Sequence, residues 1–390
     1  MQLSHRVTNI TEGSSDGWDI FYKARQMISE GKSVTELTIG EHDTRTDPEI
    51  LKAMNHAALS GHTGYAVVPG TQSLRETVAA RIQKNTGAPT SYRNVLITPG
   101  GQSALFAAHI ATNEPGDHAL FIEPYYATYP GTIRSVGARP IAISTSAKHA
   151  FLPRKQDIIA AATGAKSLLI NSPNNPTGAI YGSQTLHDIA QICQTHGLWL
   201  ISDEVYDTQI WAGKHTSPRA LPGMLERTLV IGSMSKSHAM TGSRVGWIVG
   251  PETAIDHLIN LATHTTYGVA GFIQDAAEFA LKQGAQLEEK IAAPFRRRRL
   301  LAQDILDTQS IVGLMPSQGG MYLMLDIRST GLTGEEFADS LLDAHQIAVM
   351  PGESFGPCAA GHIRVAMTVS DNAFATALRS LVGHAESIKL

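Results

Sequence analysis

Short apolar runs and amphipathic segments alternate between about residues 95 and 250. The runs are rich in Ile, Leu and Val, which is typical of strands that are buried on both faces of a parallel sheet. The segments between them, such as "SQTLHDIAQICQTHG", repeat apolar residues at spacings of three and four and end at glycine, as helices do. Seven runs follow one another: "VLITPG", "HALFIEP", "RPIAIS", "SLLINSP", "LWLISDEVY", "TLVIGSMSK" and "VGWIVGP". The pattern predicts an α/β fold with a mostly parallel seven-stranded sheet and helices on both faces.

The last run, "VGWIVGP", departs from this alternation. It follows "TLVIGSMSK" after a short loop with no helical segment between them. A parallel crossover needs about a dozen residues or more. We therefore expect this strand to run antiparallel to its neighbour.

The pattern changes after about residue 285. Long helical stretches are followed by the extended segments "GGMYLMLDI", "IAVMPG" and "HIRVAMTV" and by a final helical segment. We expect a smaller α+β domain over residues 286–390, beside a large α/β domain over residues 46–285. Residues 1–45, with the helical "FYKARQMISEGK" and the extended "VTELTIGE", are expected to pack with the smaller domain.

Composition and charge narrow the classes of protein. The 390 residues are 43% apolar and 17% charged, as in a soluble globular enzyme. The formal net charge of −4 gives no electrostatic reason to expect a nucleic-acid or membrane partner. Neither a signal peptide nor a membrane-spanning stretch is predicted, and Cys193 and Cys358 have no metal-like spacing, so we expect a cytoplasmic protein without a metal site. The basic run Arg296–Arg299 is interpreted as a solvated helix face, with a subunit contact as the alternative.

Polar residues directly follow several predicted strands, at the edge of an open α/β sheet where ligands bind. Gly100 and Gly101 join a strand to a helix, whose N-terminal backbone amides can bind an anion. Asn175, in "NSPNNPTG", can donate to a phenolate or a carboxylate. Asp203 ends an apolar strand and needs a partner, because a buried unpaired carboxylate is costly. Taken singly, a tight turn, a proline-stiffened loop and a structural ion pair are the alternatives.

Lys236 ends the apolar run "TLVIGSMSK", an unfavourable place for a hydrated ammonium. Burial lowers the pKa of a lysine towards the neutral amine, which is the form that makes a Schiff base. Ser233, Ser235 and Arg244 can hold an anion nearby. A surface or salt-bridging lysine is the alternative for Lys236 alone. Pyridoxal 5′-phosphate (PLP) carries a phosphate, a cationic ring nitrogen, a phenolic oxygen and an aldehyde, and it would suit all of these strand ends.

The chain resembles the class I/II aminotransferases, the aspartate-aminotransferase-like fold type I of PLP enzymes. The resemblance covers nearly the full length and is carried by "LTIGEHDT", "GYAVVPGTQSLRETVA", "TPGGQSALFAA", "EPYYATYPG", "NSPNNPTG", "ISDEVY", "SMSKSHAMTGSRVGW", "VMPGESFG" and "HIRVAMT". Four further segments, "SKSHAMTG", "FIQDAA", "FADSLLDAH" and "GESFGPCAAGHIR", are most similar to bacterial arginine–pyruvate transaminases. The resemblance implies exchange of the amino group between an α-amino acid and a 2-oxo acid by ping-pong kinetics, with an arginine–pyruvate or an aspartate-type specificity.

The resemblance also implies roles for the residues around the cofactor. Lys236 would form the internal aldimine with PLP and then move the proton between the substrate Cα and C4′ of the cofactor. Asp203 would pair with the pyridinium nitrogen, and Tyr206 and Asn175 would hydrogen-bond to O3′. These residues make up the predicted catalytic and ring-binding set.

Stacking and phosphate binding are implied in the same way. Tyr126 would stack on the cofactor ring, with Tyr125 as the competing choice. Tyr65 would reach the phosphate from the neighbouring subunit, so the implied active unit is a homodimer. The phosphate would be held by the amides of Gly101 and Gln102 and by Ser233, Ser235 and Arg244.

For the substrate, Arg364 in "HIRVAMT" matches the family's arginine that binds the α-carboxylate. A guanidinium and a carboxylate form a planar bidentate pair, which fixes the orientation of the substrate. Gly40 would bring its backbone close to the same carboxylate, and Asn175 would contribute a further contact. Two positions depart from the family pattern, because His42 replaces a common proline and Ser243 replaces a larger apolar residue.

Two other functions are compatible with parts of this pattern. A PLP-dependent β-elimination C–S lyase would use the same fold and cofactor, and fold alone does not separate it from a transaminase. A regulatory binding module of this fold usually carries a fused DNA-binding segment. The sequence has neither a helix-turn-helix extension nor a basic patch, which disfavours the regulatory module.

Overall fold

A computed structural model describes residues 1–12 and 17–388 of the chain. Over these residues the strands form a seven-stranded sheet, a four-stranded sheet and a two-stranded pair, which we call the large sheet, the small sheet and the edge pair. The strands of the large sheet are, in order across it, Val95–Thr98, Gly246–Val249, Thr228–Ser233, Trp199–Asp203, Ala165–Asn171, His118–Ile122 and Arg139–Ile143. Each of them overlaps one of the seven apolar runs, so the predicted sheet is confirmed.

The strand Gly246–Val249 is the antiparallel member of the large sheet. It pairs antiparallel with Thr228–Ser233 on one side and with Val95–Thr98 on the other. The other neighbouring strands pair in parallel. The expectation drawn from the short loop before "VGWIVGP" is therefore confirmed, and the antiparallel strand brings the start of one strand beside the ends of two others.

Helices cover both faces of the large sheet. Along one strand, Leu169 packs in the cluster that contains Leu105, whereas its neighbour Leu168 packs in the cluster that contains Ile189. Successive strand residues point to opposite faces, so these two clusters lie on opposite sides of the sheet. The helices in this part of the chain are Pro48–Leu59, Gln72–Thr86, Gly100–Thr112, Tyr129–Ser135, Lys155–Ala162, Ser183–His196, Met234–Ser237, Glu252–Thr263 and Gly271–Lys282.

The small sheet is antiparallel and belongs to the C-terminal part of the chain. Its strands are Met350–Pro351, His362–Ala366, Tyr322–Asp326 and Gly313–Leu314, in that order. The helices Ala285–Leu306, Gly334–His345 and Asp371–Ser387 accompany it. Together these elements provide most of the second large apolar core.

The N-terminal segment contacts this C-terminal part directly. After the short helix His5–Thr8, the helix Asp19–Ser29 packs Ile20 and Met27 in the same core as Leu341. In the edge pair, the strand Thr35–Glu36 runs parallel to Ile347–Ala348. The boundaries near residues 45 and 285 stay a prediction.

The interpretation of the basic run as a solvated helix face is wrong for Arg298. This side chain is 3% exposed, and it pairs with Asp43 at 2.7 Å and with Asp371 at 2.8 Å. Asp43 and Asp371 are far apart in the sequence, and Arg298 on the helix Ala285–Leu306 pairs with the carboxylates of both. Elsewhere, no helix among the described residues has both the length and the apolar character to cross a membrane.

Candidate active site

The carboxyl ends of the large-sheet strands meet at a pocket of about 280 Å³. This volume lies near the lower end of the ~300–1,000 Å³ range of small-molecule sites. Most of the predicted site residues line it, namely Gly40, Gly101, Gln102, Tyr126, Asn175, Asp203, Tyr206, Ser233, Ser235, Lys236 and Arg244. Residues from five strand ends therefore converge on one space, as the sequence predicts for a single ligand.

An anion cradle forms one end of the pocket, where the helix Gly100–Thr112 begins. Gly100 has φ +80°, and a Cβ built on it would lie 2.4 Å from Nη2 of Arg244. The guanidinium of Arg244 therefore lies against the helix N-terminus, and its Nη1 donates to the carbonyl of Thr241 at 2.9 Å. A cation beside free helical amides fits a phosphate group.

Two serines complete this end of the pocket. The Oγ of Ser233 accepts a hydrogen bond from the backbone N–H of Ser235 at 3.1 Å and donates to the carbonyl of Val245 at 3.5 Å. Ser233 therefore caps the short helix Met234–Ser237 and fixes the turn that presents Lys236. Both serines line the pocket wall beside Arg244.

Asp203 lies at the end of its strand and is 4% exposed. The phenol of Tyr129 donates to its Oδ2 at 2.7 Å, and the N–H of Val205 donates to its Oδ1 at 3.3 Å. Burial raises the pKa of Asp203 to about 6, although both hydrogen bonds act in the opposite direction. A buried carboxylate that remains hard to ionise suits a cationic partner in the pocket, because the cation would restore the ionised form.

Lys236 projects into the pocket from the short helix that follows the strand Thr228–Ser233. Its ammonium donates to the carbonyl of Gly40, and its own carbonyl accepts from Nε2 of Gln209 at 3.1 Å. Burial lowers the pKa of Lys236, and the nearby cations of Arg364 and Arg244 act in the same direction. The surroundings thus favour the neutral amine, which is the nucleophilic form.

Asn175 connects the cofactor end of the pocket with Arg364. Its Oδ1 accepts from Nη1 of Arg364 at 2.9 Å, and its backbone N–H donates to Oδ1 of Asn171 at 2.7 Å. This arrangement leaves the Nδ2 group of Asn175 as the donor for a ligand oxygen. Tyr206, on the same wall, is 4% exposed, and burial raises its pKa well above the usual value, so its phenol stays protonated.

Arg364 lies in the strand His362–Ala366 and is 1% exposed. Besides Asn175, it donates to the carbonyl of Thr38, and its Cζ lies 4.2 Å from the ring centroid of Tyr322 and 4.5 Å from that of Phe355. No carboxylate among the described residues pairs with it, and its Nε has no hydrogen-bond partner there. A buried cation is expensive unless it is paired. A ligand carboxylate would therefore suit Arg364.

The two candidate stacking tyrosines point in different directions. Tyr126 lines the pocket and packs edge-on against Tyr129, with ring centroids 5.7 Å apart. Tyr125 instead packs on Phe121, with centroids 5.0 Å apart, and faces a separate, larger surface cavity. The geometry favours Tyr126 as the ring-stacking residue.

Tyr65 lies away from the pocket of its own protomer. It is 92% exposed, and its ring packs edge-on against Tyr267 at a centroid distance of 5.2 Å. Its contribution to a partner's site stays a prediction.

Of the two departures from the family pattern, His42 packs edge-on against Phe295 at 5.2 Å, and burial lowers its pKa to about 3. Ser243 donates its N–H to the carbonyl of Met240 and closes the turn before Arg244.

Sequence reasoning missed four residues of the site: Asn171, Tyr129, Tyr322 and Phe355. Each is uncharged. Asn171 ends its apolar run as Asp203 does, beside which it lies in the sheet, whereas the other three do not directly follow a predicted strand. Tyr129, the third tyrosine of "PYYATYP", offered a weak signal, since a buried tyrosine needs a partner for its hydroxyl.

The chain is similar to aminotransferases over almost its whole length. It is 38% identical to an arginine–pyruvate transaminase of Pseudomonas aeruginosa, covering 98% of this chain and 97% of the relative. It is 32% identical to an aspartate/prephenate aminotransferase of Thermus thermophilus, covering 91% and 92%. Among solved structures, an aspartate aminotransferase from Thermus thermophilus with maleate superposes with a TM-score of 0.92 at 30% identity, over 98% of this chain and 100% of that one.

These relatives confirm the aminotransferase resemblance, the fold type I architecture and the transaminase function that the motifs predict. Nothing in the comparisons supports the C–S lyase alternative. The sequence model of the family described as "Aminotransferase class I and II" matches residues 32–381. The chain belongs to the class I and II aminotransferases.

Proposed function

We propose that this transaminase binds PLP in the pocket and uses Lys236 as its catalytic amine. The family is generally PLP-dependent, and the pocket offers a complementary group for each part of the cofactor. The cradle at Gly100 and Arg244 fits the phosphate, and Asp203 fits a cationic ring nitrogen. When bound, PLP supplies an aldehyde for the amine and a ring that stabilises negative charge at the substrate Cα.

The buried, uncompensated guanidinium of Arg364 is the observation that carries the assignment of the substrate class. It is fixed by Asn175 and Thr38, so a carboxylate binds to a preorganised cation. Amino acids and 2-oxo acids share an α-carboxylate, so one residue serves both half-reactions. Held there, the substrate would present its Cα to Lys236, whose neutral amine would take the proton from Cα of the donor in one half-reaction and deliver a proton to Cα of the acceptor in the other.

The functional unit we propose is a homodimer. Tyr65 and Tyr267 form an exposed aromatic pair outside their own pocket. A second copy of the chain would bury this pair and bring the Tyr65 hydroxyl to the phosphate end of the partner's site. The cytoplasmic location stays a prediction.

For the amino donor we propose arginine, with pyruvate as the acceptor. The support is the relative from Pseudomonas aeruginosa that bears this name, together with the charges of the pocket. Among the described residues that line it, the cations are Lys236 and Arg244, and both already have a role. The distal carboxylate of aspartate would need a further cation, which one protomer does not supply there.

The decisive experiment is a visible absorption spectrum of the purified protein with PLP. We expect a visible band for the wild type and its loss in Lys236→Ala, because the variant lacks the amine that joins the cofactor. Lys148→Ala, at an exposed lysine, is the matched control and should keep the band. A normal band in Lys236→Ala would reject the assignment of the catalytic lysine.

The substrate assignment is tested with a panel of donors. Arginine, alanine, aspartate and an aromatic amino acid are each paired with pyruvate and with 2-oxoglutarate. We expect the highest kcat/KM for arginine with pyruvate, and a higher value for aspartate with 2-oxoglutarate would replace that assignment. Release of ammonia and pyruvate without an oxo-acid acceptor would instead indicate a lyase.

A further inference from the structure

Tyr322 begins a strand of the small sheet and is 3% exposed. Its context, "GGMYLMLDI", predicts a core residue of a buried strand. The structure places its side chain in the pocket wall, beside Lys236 and Tyr206. Among the described residues that line the pocket, it is the one that comes from the small sheet.

The hydroxyl of Tyr322 occupies the space that the missing side chain of Gly40 leaves free. A Cβ built on Gly40 would lie 1.8 Å from this oxygen. The same Gly40 peptide accepts the hydrogen bond from the amine of Lys236. The Tyr206 phenol donates to the Tyr322 hydroxyl at 3.5 Å. The Tyr322 hydroxyl thus contacts two groups. One is the Gly40 peptide, which binds the amine of Lys236, and the other is the phenol of Tyr206, which is expected to face the cofactor.

The ring of Tyr322 also packs against the guanidinium of Arg364. The guanidinium carbon lies 4.2 Å from the Tyr322 ring centroid and 4.5 Å from that of Phe355. Cation–π contacts of this length stabilise a guanidinium that has no counter-ion. Phe355 contacts the same guanidinium with a ring that has no hydroxyl. A substitution of Phe355 therefore changes a ring contact without changing a hydroxyl.

Electrostatics support the contact with the amine. Burial by itself raises the pKa of Tyr322, but Arg364, Lys236 and the hydrogen bond with Tyr206 outweigh it, and the net pKa is lowered. In return, Tyr322 raises the pKa of Lys236 against the lowering by burial. The protonation of Tyr322 and that of Lys236 are thus linked, and removal of the Tyr322 hydroxyl should change the pKa of the amine.

We propose that Tyr322 is a positioning residue with two separable parts: its hydroxyl sets the protonation and orientation of Lys236 through Gly40 and Tyr206, and its ring fixes Arg364 for the substrate carboxylate. This inference rests on the proposed function. It assigns to one side chain the coupling between the amine that handles the proton and the cation that holds the substrate.

Three variants separate the two parts: Tyr322→Phe, Phe355→Leu and Tyr322→Leu. The readouts are the midpoint of the pH titration of the bound cofactor's visible absorption, kcat, and KM for donor and acceptor. Tyr322→Phe should lower the midpoint by about 0.5 unit or more and kcat by about 5- to 10-fold, with KM within twofold, as expected for one lost hydrogen bond. Phe355→Leu should raise KM for both substrates by about 5- to 30-fold and leave the midpoint unchanged.

Tyr322→Leu should combine both effects. A Tyr322→Phe variant whose midpoint equals that of the wild type would overturn the role of the hydroxyl. A Phe355→Leu variant with unchanged KM would overturn the role of the ring contacts. A purely structural role would lower Tm without moving the midpoint, and if Tyr322→Leu fails to fold, the other two variants still decide. Absence of the visible band in the wild type would instead reject the proposed function itself.

Discussion

The two ends of the pocket solve the same problem, binding an anion, in different ways. At the cofactor end, Arg244 is exposed in the protomer and is accompanied by helical amides at Gly100 and Gly101. At the substrate end, Arg364 is 1% exposed and lies in the small sheet between aromatic rings, behind the pocket-lining residues Asn175 and Tyr322. In the complex we propose, the phosphate would be shared among several donors, whereas the carboxylate would depend mainly on Arg364. On this proposal the small sheet would contribute to substrate binding, and the large sheet would hold the cofactor.

The largest effect is expected from Arg364→Ala. The loss of a buried bidentate partner leaves the substrate carboxylate unpaired, which weakens such pairs by about 2–5 kcal/mol. We expect kcat/KM for donor and acceptor to fall together by about 10²- to 10³-fold, while the PLP dissociation constant stays within about threefold. Steady-state kinetics and a cofactor titration measure the two quantities.

Arg244→Ala is the matched comparison at the other end. It should weaken PLP binding while kcat/KM of the saturated enzyme changes less than in Arg364→Ala. Arg364→Lys keeps the charge but loses the planar fork, so its kcat/KM should fall between the two. Loss of PLP in Arg364→Ala with normal substrate binding would show that the two ends are assigned the wrong way round.

The second effect is expected from Asp203→Asn, which should change the stability of the apoprotein and the affinity for PLP in opposite directions. Its folded pKa of about 6 is raised above the ~3.9 of an unfolded aspartate. The unfolded state ionises first as pH rises, so the apoprotein loses up to about 3 kcal/mol of stability between pH ~4 and pH ~6 and does not regain it at higher pH. Asp203→Asn should therefore raise the Tm of the apoprotein at pH 8 and still bind PLP less tightly.

Thermal unfolding of apo wild type and apo Asp203→Asn at pH 5 and pH 8 tests this. The Tm difference should be larger at pH 8 than at pH 5, and PLP should reverse its sign by stabilising the wild type more. A variant that is less stable than the wild type at pH 8 without PLP would contradict the raised pKa.

A smaller effect is expected from Gly40→Ala at the substrate end. The new Cβ would meet the Tyr322 hydroxyl at 1.8 Å, so Tyr322 must move. Overpacking of this kind costs about 1–3 kcal/mol. We expect lower Tm and lower kcat, measured by calorimetry and kinetics. Gly182→Ala, where a Cβ meets nothing within 4 Å, is the control and should keep both values.

The smallest effect lies behind the cofactor end, in the helix Gly100–Thr112. His109 is fully buried, and burial lowers its pKa to about 4, below the ~6.5 of the unfolded chain. Its contribution to stability is therefore present above pH ~6.5 and is lost as pH falls towards 4, by about 2 kcal/mol at pH 5. In His109→Leu the fall in Tm between pH 7.5 and pH 5 should be smaller than in the wild type.

His149→Ala, at an exposed histidine, should keep the fall of the wild type. An equal fall in His109→Leu and wild type would mean that other groups, such as the buried His42 and His238, account for the acid sensitivity.

The large sheet was predictable because each of its strands corresponds to a short apolar run in the local sequence. Apolar runs gave all seven strands, and the short loop before Gly246–Val249 gave its direction. Asp203 and Lys236 could be predicted to lie at the pocket for the same reason, since each belongs to the end of an apolar run, and Asn175 lies two residues beyond another. Tyr322 and Arg298 could not be read in this way. Their roles arise from contacts with Gly40 and Asp43, which come from the far end of the chain.

The edge pair has a consequence for how the enzyme is made. Thr35 meets its strand partner, Ile347, only when nearly the whole chain exists. At about 5–20 residues per second, a ribosome needs roughly 15–60 s to travel from one to the other. During that time the large sheet can form, but Gly40, Tyr322 and Arg364 cannot be assembled around Lys236. The large-sheet wall of the pocket can therefore be complete before the small sheet exists, and a chain that stops shortly before residue 347 would lack Arg364 and should not bind a carboxylate there.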